Sequence, residues 1–398
     1  MVTSTATRSG APLPDAACET GLQTIPLVEE RSFTRWQTDI PSEYRGLGVS
    51  ELTRRITVAR KALAGRAVIL GHHYQREDII QFADIRGDSF KLAQWAAEQR
   101  DLEYIVFCGV HFMAESADIL TSARQQVILP NLAAGCSMAD MAQPENVYKA
   151  WDALQRAGID GIVPVTYVNS AAALKAFCGR NGGIVCTSSN AAAVMSWAFE
   201  RGKRVFFFPD QHLGRNTAVA MGIPESEMVL WDYDWPFDDL GGNRTDLLEH
   251  SRVILWQGHC SVHTRFNIEQ IRQARADYPD IKVVVHPECT LDVVQAADCA
   301  GSTEFIMRAV TDSLPGSKWA IGTETNLVQR LAHENPDKLV FCLDPIICPC
   351  ATMYRVHPAY LCWALEELAE GRVVNRIQVA GETAHWARIA LERMLQVH

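Results

Sequence analysis

The chain has 398 residues, 48% of them apolar, and a formal net charge of −10 at pH 7, which allows two or three domains and argues against broad binding to nucleic acid or anionic membranes. Its apolar runs, such as "VFFF" and "KVVVH", fall far short of the roughly 20 residues a membrane helix needs. "MVTSTATRSGAPLPDAA" has no long apolar stretch of the secretory kind, so the expected location is the cytoplasm. In that reducing compartment, twelve cysteines point to buried thiols, metal ligands or catalytic groups ahead of disulfides.

Residues 1–50 are small and polar without a sustained period, and read as an N-terminal extension. From Arg66 onward, short β-branched runs alternate with amphipathic helical patterns. The first strands are "RAVILGHHY", "GIVPVTYVN" and "IKVVVHPEC", each ending in polar side chains. Short helices follow, then the stretches "RGDSFKLAQWAAEQR", "TSSNAAAVMSWAFERG" and "GSTEFIMRAV", whose hydroxyl residues stand where a helix begins. Third strands are "YIVFCGV", "RVFFFPD" and "WAIGTE"; fourth strands "QVILPNLAAGC", "SRVILWQGHC" and "KLVFCLDPIICPC" all finish in cysteine. One order of elements thus occurs three times, over 51–150, 151–263 and 264–350, with an insertion near 231–250 and C-terminal helices over 351–398 expected to pack back on the first repeat. The expected fold is α/β: three repeated doubly wound αβα domains with small parallel sheets around a pseudo-threefold axis and a central active site.

Ligands of open α/β sheets bind outside the carboxyl ends of the strands, so facing units bring Cys136, Cys260 and a cysteine of "CPC" together. Three thiols without an obvious fourth partner suit a [4Fe-4S] cluster with one open iron, or less well a catalytic zinc; singly, each reads as a buried thiol. Ser89, Ser188, Ser302 and Thr303 lie at expected helix starts, where hydroxyls and free N–H groups receive phosphate and carboxylates, and Asp88 reads as an N-cap or a supporting partner. The pairs His72/Tyr74, Tyr167/Asn169 and His286/Glu288 are spaced i, i+2, so both members of each face the same side of an extended segment. They hold the groups that general acid and base steps require. His263, three residues after Cys260, is placed to bond ligand or cluster, or to cap a helix.

The ordered motifs "GHHYQ", "GDS", "GVHFMAES", "AGCSMAD", "VTYVNS", "CTSSNA", "PDQHLGRNTA", "WQGHCSVH", "HPEC", "GSTEFI" and "GTETNLVQRL" resemble those of the quinolinate synthase family from about Arg66 to the end. The resemblance implies a [4Fe-4S] enzyme of NAD biosynthesis that condenses iminoaspartate with dihydroxyacetone phosphate to quinolinate, losing phosphate and two waters. It places cluster ligands at Cys136, Cys260 and one cysteine of "CPCATM". Active-site roles fall on His72, Tyr74, Asp88, Ser89, Tyr167, Asn169, Ser188, His263, His286, Glu288, Ser302 and Thr303, with Tyr74, Glu288, His72 and His286 expected to move protons. Iminoaspartate would come from L-aspartate oxidase or aspartate dehydrogenase, and a homodimer fits the family. His73 replaces a commoner Tyr, points away from its neighbours in the pattern and is expected to matter little. Two cues conflict at "CPC": the family's Cys-Pro favours Cys348, while register into "CWALEE" favours Cys350, which is the expected ligand. Alternatives are another [4Fe-4S] hydro-lyase acting on a small carboxylate, or a non-enzymatic iron-sulfur sensor or small-anion binder.

Overall fold

In a computed structural model, which describes residues 24–29, 40–99, 101–236 and 238–397, the β-branched runs form three separate sheets. Most of the extension expected over 1–50, Cys18 included, lies outside those residues. The first unit contains β1 (Ala67–His72), β2 (Ile85–Gly87), β3 (Tyr104–Cys108) and β4 (Gln126–Ile128). The second contains β5 (Ile162–Tyr167), β6 (Ile184–Cys186), β7 (Arg204–Phe208), β8 (Met228–Trp231) and β9 (Val253–Trp256). The third contains β10 (Lys282–Val285), β11 (Cys299–Ala300), β12 (Lys318–Gly322) and β13 (Leu339–Cys342). In every unit the first strand lies between the second and the third, and the last strand borders the third; β8 is an added edge strand outside β9. Pairing within the units is parallel throughout. The architecture is therefore α/β, with one strand order used three times.

Three differences from the sequence reading have simple causes. The second strands are only two or three residues long, too short for a period of two to show. The insertion near 231–250 begins earlier, because Met228–Trp231 pairs with β9 before the loop and the helix Thr245–His250. The fourth strands also stop short of their cysteines: Cys136, Cys260 and Cys350 sit in the loops that follow, with Cys136 at the N-cap of Ser137–Asp140.

Packing joins the first two units more closely than the third. One continuous apolar core runs through the first two sheets and the C-terminal helices. The third sheet has a separate core on each face: Val283 and Val285 face Ile271 and Val293, while Val284 and Ile321 face Ile306 and Leu327. That alternation follows the pleat of a strand buried on both sides. The third unit consequently meets the others largely through polar contacts at the rim of its sheet. Asn216 donates to the carbonyls of Pro287 and Cys289 at 2.8 and 2.7 Å, and Arg330 donates to the carbonyls of His73 and Gln75. His73 Nε2 donates to Glu304 Oε1 at 2.9 Å, so the residue expected to matter little ties the first unit to the third.

At the C-terminus, the helix Pro358–Ala369 packs on Val49–Ala62, where Tyr44 and Arg55 both bind Glu366 at 2.7 and 2.8 Å. β14 (Arg376–Ile377) then joins the first sheet antiparallel to β4. The last helix, Gly381–Gln396, lies chiefly on Ala172–Arg180 and β6 of the second unit, and also touches His111–Leu120 of the first. It approaches so closely that a Cβ on Gly179 would sit 1.9 Å from the Trp386 carbonyl oxygen. No helix among the described residues is long and apolar enough to cross a membrane.

Candidate active site

The carboxyl ends of β1, β5 and β10 open on one pocket with about 660 Å³ of atom-free space. His72, Tyr74, Asp88 and Ser89 line it from the first unit, Tyr167, Asn169, Ser188 and His263 from the second, and His286, Glu288 and Thr303 from the third. Cys136, Cys260 and Cys350 line the same pocket. Among the described residues, no lysine or arginine does.

Two of the histidines are held in one tautomer by the same local device. Where β1 ends, the Tyr74 N–H donates to His72 Nδ1 at 3.1 Å; just past β10, the Glu288 N–H donates to His286 Nδ1 at 3.3 Å. With Nδ1 an acceptor, a neutral ring carries its proton on Nε2, which is the donor left for a ligand. Burial keeps both rings neutral, lowering His72 well below the usual range, with His73 and Arg330 adding to it, and His286 to about 3, with His263 adding to it. Stability must therefore fall with acid. The unfolded chain takes up protons below about 6.5, whereas His286 resists them down to about 3, so His286 removes about 1.4 kcal/mol per pH unit in that window, and His72 acts in the same direction. Urea unfolding midpoints are expected to drop from pH 7.5 to pH 5; a midpoint flat across that range would contradict the neutral burial.

Glu288 is the hub of a buried hydrogen-bond chain. Its Oε1 accepts from the Tyr167 hydroxyl at 2.7 Å and its Oε2 from His263 Nδ1 at 2.9 Å. Burial works against its charge, but the nearby His286 and His263 rings and those donors outweigh it, holding the carboxyl below the usual range. His263 stacks on His286 with ring centres 4.4 Å apart. Since His263 Nδ1 donates to the carboxylate, Nε2 of the neutral ring accepts, and Thr323 Oγ1 lies 3.1 Å from it. Thr323 Oγ1 in turn is 2.7 Å from the Tyr74 hydroxyl, which donates to it. A proton leaving Tyr74 has a path through Thr323 and His263 toward Glu288, and burial first, then Glu288, raises the Tyr74 pKa well above its usual value.

Thr323 does not line the pocket, and sequence reasoning missed it. Its signal was faint, a threonine in "WAIGTE", which reads only as a third strand leading into a helix. Thr323→Val removes the hydroxyl with little change of shape; kcat is expected to fall roughly 10- to 100-fold while KM and iron content hold, and Thr323→Ser to restore it. An unchanged kcat for the valine variant would remove Thr323 from the proton path.

The helix-start residues divide. Asp88 caps Ser89–Glu98, with Oδ1 accepting the Lys91 N–H at 2.9 Å and Oδ2 the Ser189 hydroxyl at 2.8 Å, which sets Ser89 at the pocket. Ser302 caps Thr303–Thr311 with its Oγ and does not line the pocket, whereas Thr303 does, with its Oγ1 buried and unpartnered. Ser188 stands in a turn rather than at a helix start, since Asn190 is the N-cap of Ala191–Phe199. Asn169 Oδ1 is also buried without a partner. Such atoms are costly unless a ligand or water meets them.

The three pocket thiols fit the iron-sulfur cluster that the motifs imply. Backbone N–H groups of the next turn point at each sulfur: Met138 and Ala139 at Cys136, His263 at Cys260, Thr352 and Met353 at Cys350. Those donors favour thiolate, yet burial pushes Cys136 up to about 12 and raises Cys260 and Cys350 as well. A bound cation resolves that conflict. Cys348 is exposed and outside the pocket lining. Cys260, His263 and Glu288 also bring ligand atoms within 4.8 Å of one another, but the His263 and Glu288 atoms already bond each other.

Comparison with known proteins agrees with this geometry. The family model described as Quinolinate synthetase A protein matches residues 54–396. The chain is 59% identical to the quinolinate synthase of Corynebacterium glutamicum over 362 residues, covering 91% of each chain. It is 54% identical to that of Geobacillus thermodenitrificans over 358 residues, 90% of this chain and 96% of the relative. A third, from Nocardioides sp., is 56% identical over 352 residues, 86% of this chain and 89% of the relative. With family model, near full-length relatives and repeated α/β architecture in agreement, the chain belongs to the quinolinate synthase family, enzymes that form quinolinate in NAD biosynthesis.

Proposed function

We propose that this pocket condenses iminoaspartate with dihydroxyacetone phosphate to quinolinate, with loss of phosphate and two waters, and that Cys136, Cys260 and Cys350 hold a [4Fe-4S] cluster there. The observation that carries the reading is the meeting in one pocket of three thiols with Tyr74, His263, Glu288 and Tyr167, Tyr74 and His263 being bridged by Thr323. When bound, the cluster supplies an open iron, a Lewis acid for a substrate oxygen or nitrogen.

The chain's own groups supply the rest. Ser89, Ser188 and Thr303, with the helix starts at Ser89 and Thr303, receive phosphate and carboxylates where no lysine or arginine among the described residues lines the pocket. Nε2–H of His72 and of His286 donates to substrate oxygens, and Asn169 offers its amide. Tyr74 gives up or returns a proton at its hydroxyl through Thr323, while Glu288 balances positive charge arising on His263. Tyr167 holds the other Glu288 oxygen in place. Ser302 supports Thr303 from its cap. Closing apolar Phe90, Val110, Phe112 and Met113 around the pocket keeps water from the imine.

The reading extends to repeat boundaries at 51–150, 151–263 and 264–350, supported by the recurring strand order. It also includes a cytoplasmic homodimer supplied with iminoaspartate by L-aspartate oxidase or aspartate dehydrogenase. The test is product formation by anaerobically purified protein. Quinolinate from the two substrates is expected; an intact cluster that yields none would overturn the reading in favour of another hydro-lyase.

A further inference from the structure

We propose that Glu324 is a positioning residue that sets the register of the Cys-Pro-Cys turn, presenting Cys350 rather than Cys348 to the pocket. The inference rests on the reading that Cys350 is the third cluster ligand. Glu324 is wholly buried, one residue after Thr323 and immediately before the helix Thr325–Glu334. Its Oε2 caps that helix, accepting from the N–H of Asn326 at 2.8 Å and of Leu327 at 3.4 Å. Its Oε1 accepts from Asn326 Nδ2 at 2.8 Å and, across the chain, from the Cys350 N–H at 3.1 Å.

Helix capping alone does not explain this residue. Asp, Ser or Asn caps a helix well, and a longer carboxylate buried out of water is costly. What the extra methylene adds here is reach to Cys350. Pro349 has no N–H, so the Cys350 amide is the donor by which Glu324 holds the turn's exit, while the Cys350 carbonyl accepts from the Tyr354 N–H at 2.9 Å. The other end of the loop is anchored separately, by Asp344 accepting from the Ile346 N–H at 2.9 Å and from Arg265 Nε at 2.9 Å. Between the anchors Cys348 is exposed, and Cys350 reaches the pocket with its sulfur 3.4 Å from the Thr352 hydroxyl. Thr323 and Glu324 are adjacent, so one strand end holds both the Tyr74 and His263 pair and the third thiol.

Two substitutions separate the cap from the reach. Glu324→Gln keeps an oxygen for the helix but turns an NH₂ toward the Cys350 N–H, donor against donor; Glu324→Asp still caps and is too short to reach. Anaerobically purified holoprotein is mixed with excess iron chelator, alongside Cys348→Ala and Cys350→Ala, and the apoproteins are labelled with iodoacetamide and mapped by mass spectrometry. Both Glu324 variants are expected to lose iron roughly tenfold faster than the parent, and to label Cys350 faster, relative to Cys348, than the parent does. The inference stands only if both readouts change; iron loss or labelling at the parental level overturns it. Should the Gln variant fail to fold, the Asp variant decides by the same criteria. A Cys350→Ala protein that keeps full iron would instead sink the underlying ligand assignment, whatever the Glu324 variants do.

Discussion

Cys350→Ala protein, purified without oxygen, is expected to retain little iron and to make no quinolinate, whereas Cys348→Ala keeps both. The two residues are separated only by Pro349, yet their surroundings differ in kind. Cys350 lines the pocket, receives N–H groups from Thr352 and Met353, and has its own amide bound by Glu324. Cys348 is exposed and faces none of these. Under the proposed ligation by three thiolates, removing one leaves an iron without its anchor, so the loss should be near complete, and Cys136→Ala and Cys260→Ala should behave alike. Iron and sulfide counted per chain after anaerobic gel filtration give the answer; the reverse pattern for Cys348 and Cys350 would exchange their roles.

Glu288→Gln is expected to lower kcat about 10²- to 10³-fold while leaving iron content unchanged. A carboxylate accepts from both Tyr167 and His263, as the distances of 2.7 and 2.9 Å require. Glutamine presents an NH₂ to one of these donors and carries no charge to stabilise a protonated His263. The proposed proton movement from Tyr74 is then opposed at its far end, while the hydroxyls of Ser89, Ser188 and Thr303 lining the pocket are untouched. Steady-state kinetics checks this: a fall confined to KM would show that Glu288 binds rather than moves protons.

Much of this site was legible because it lies at the ends of the three best-defined strands. β1, β5 and β10 are strongly apolar, and the switch to His, Tyr, Asn and Glu at their ends marks the edge where ligands meet a parallel sheet. The cysteines were legible through matched placement, although they stand on loops beyond the strands. Thr323 and Glu324 were not, since a threonine and a glutamate before a helix look like ordinary capping chemistry until the partner at position 74, 263 or 350 is known. The difference between Ser302 and Thr303 also depends on helix rotation, which sequence gives only to within a residue or two. His73 and Glu304 meet across two units, and pattern alone cannot pair residues that far apart. The last helix shows the same limit: its amphipathic face states that it must be covered, but not that Ala172–Arg180 covers it.

The claim on which the rest depends is that three units deliver one thiol each to a single centre. Anomalous diffraction at the iron edge from crystals grown without oxygen measures this directly. The account predicts one compact iron peak in the pocket, at the sulfurs of Cys136, Cys260 and Cys350. Iron bound by Cys348, or iron absent from the pocket in protein that still forms quinolinate, would contradict it.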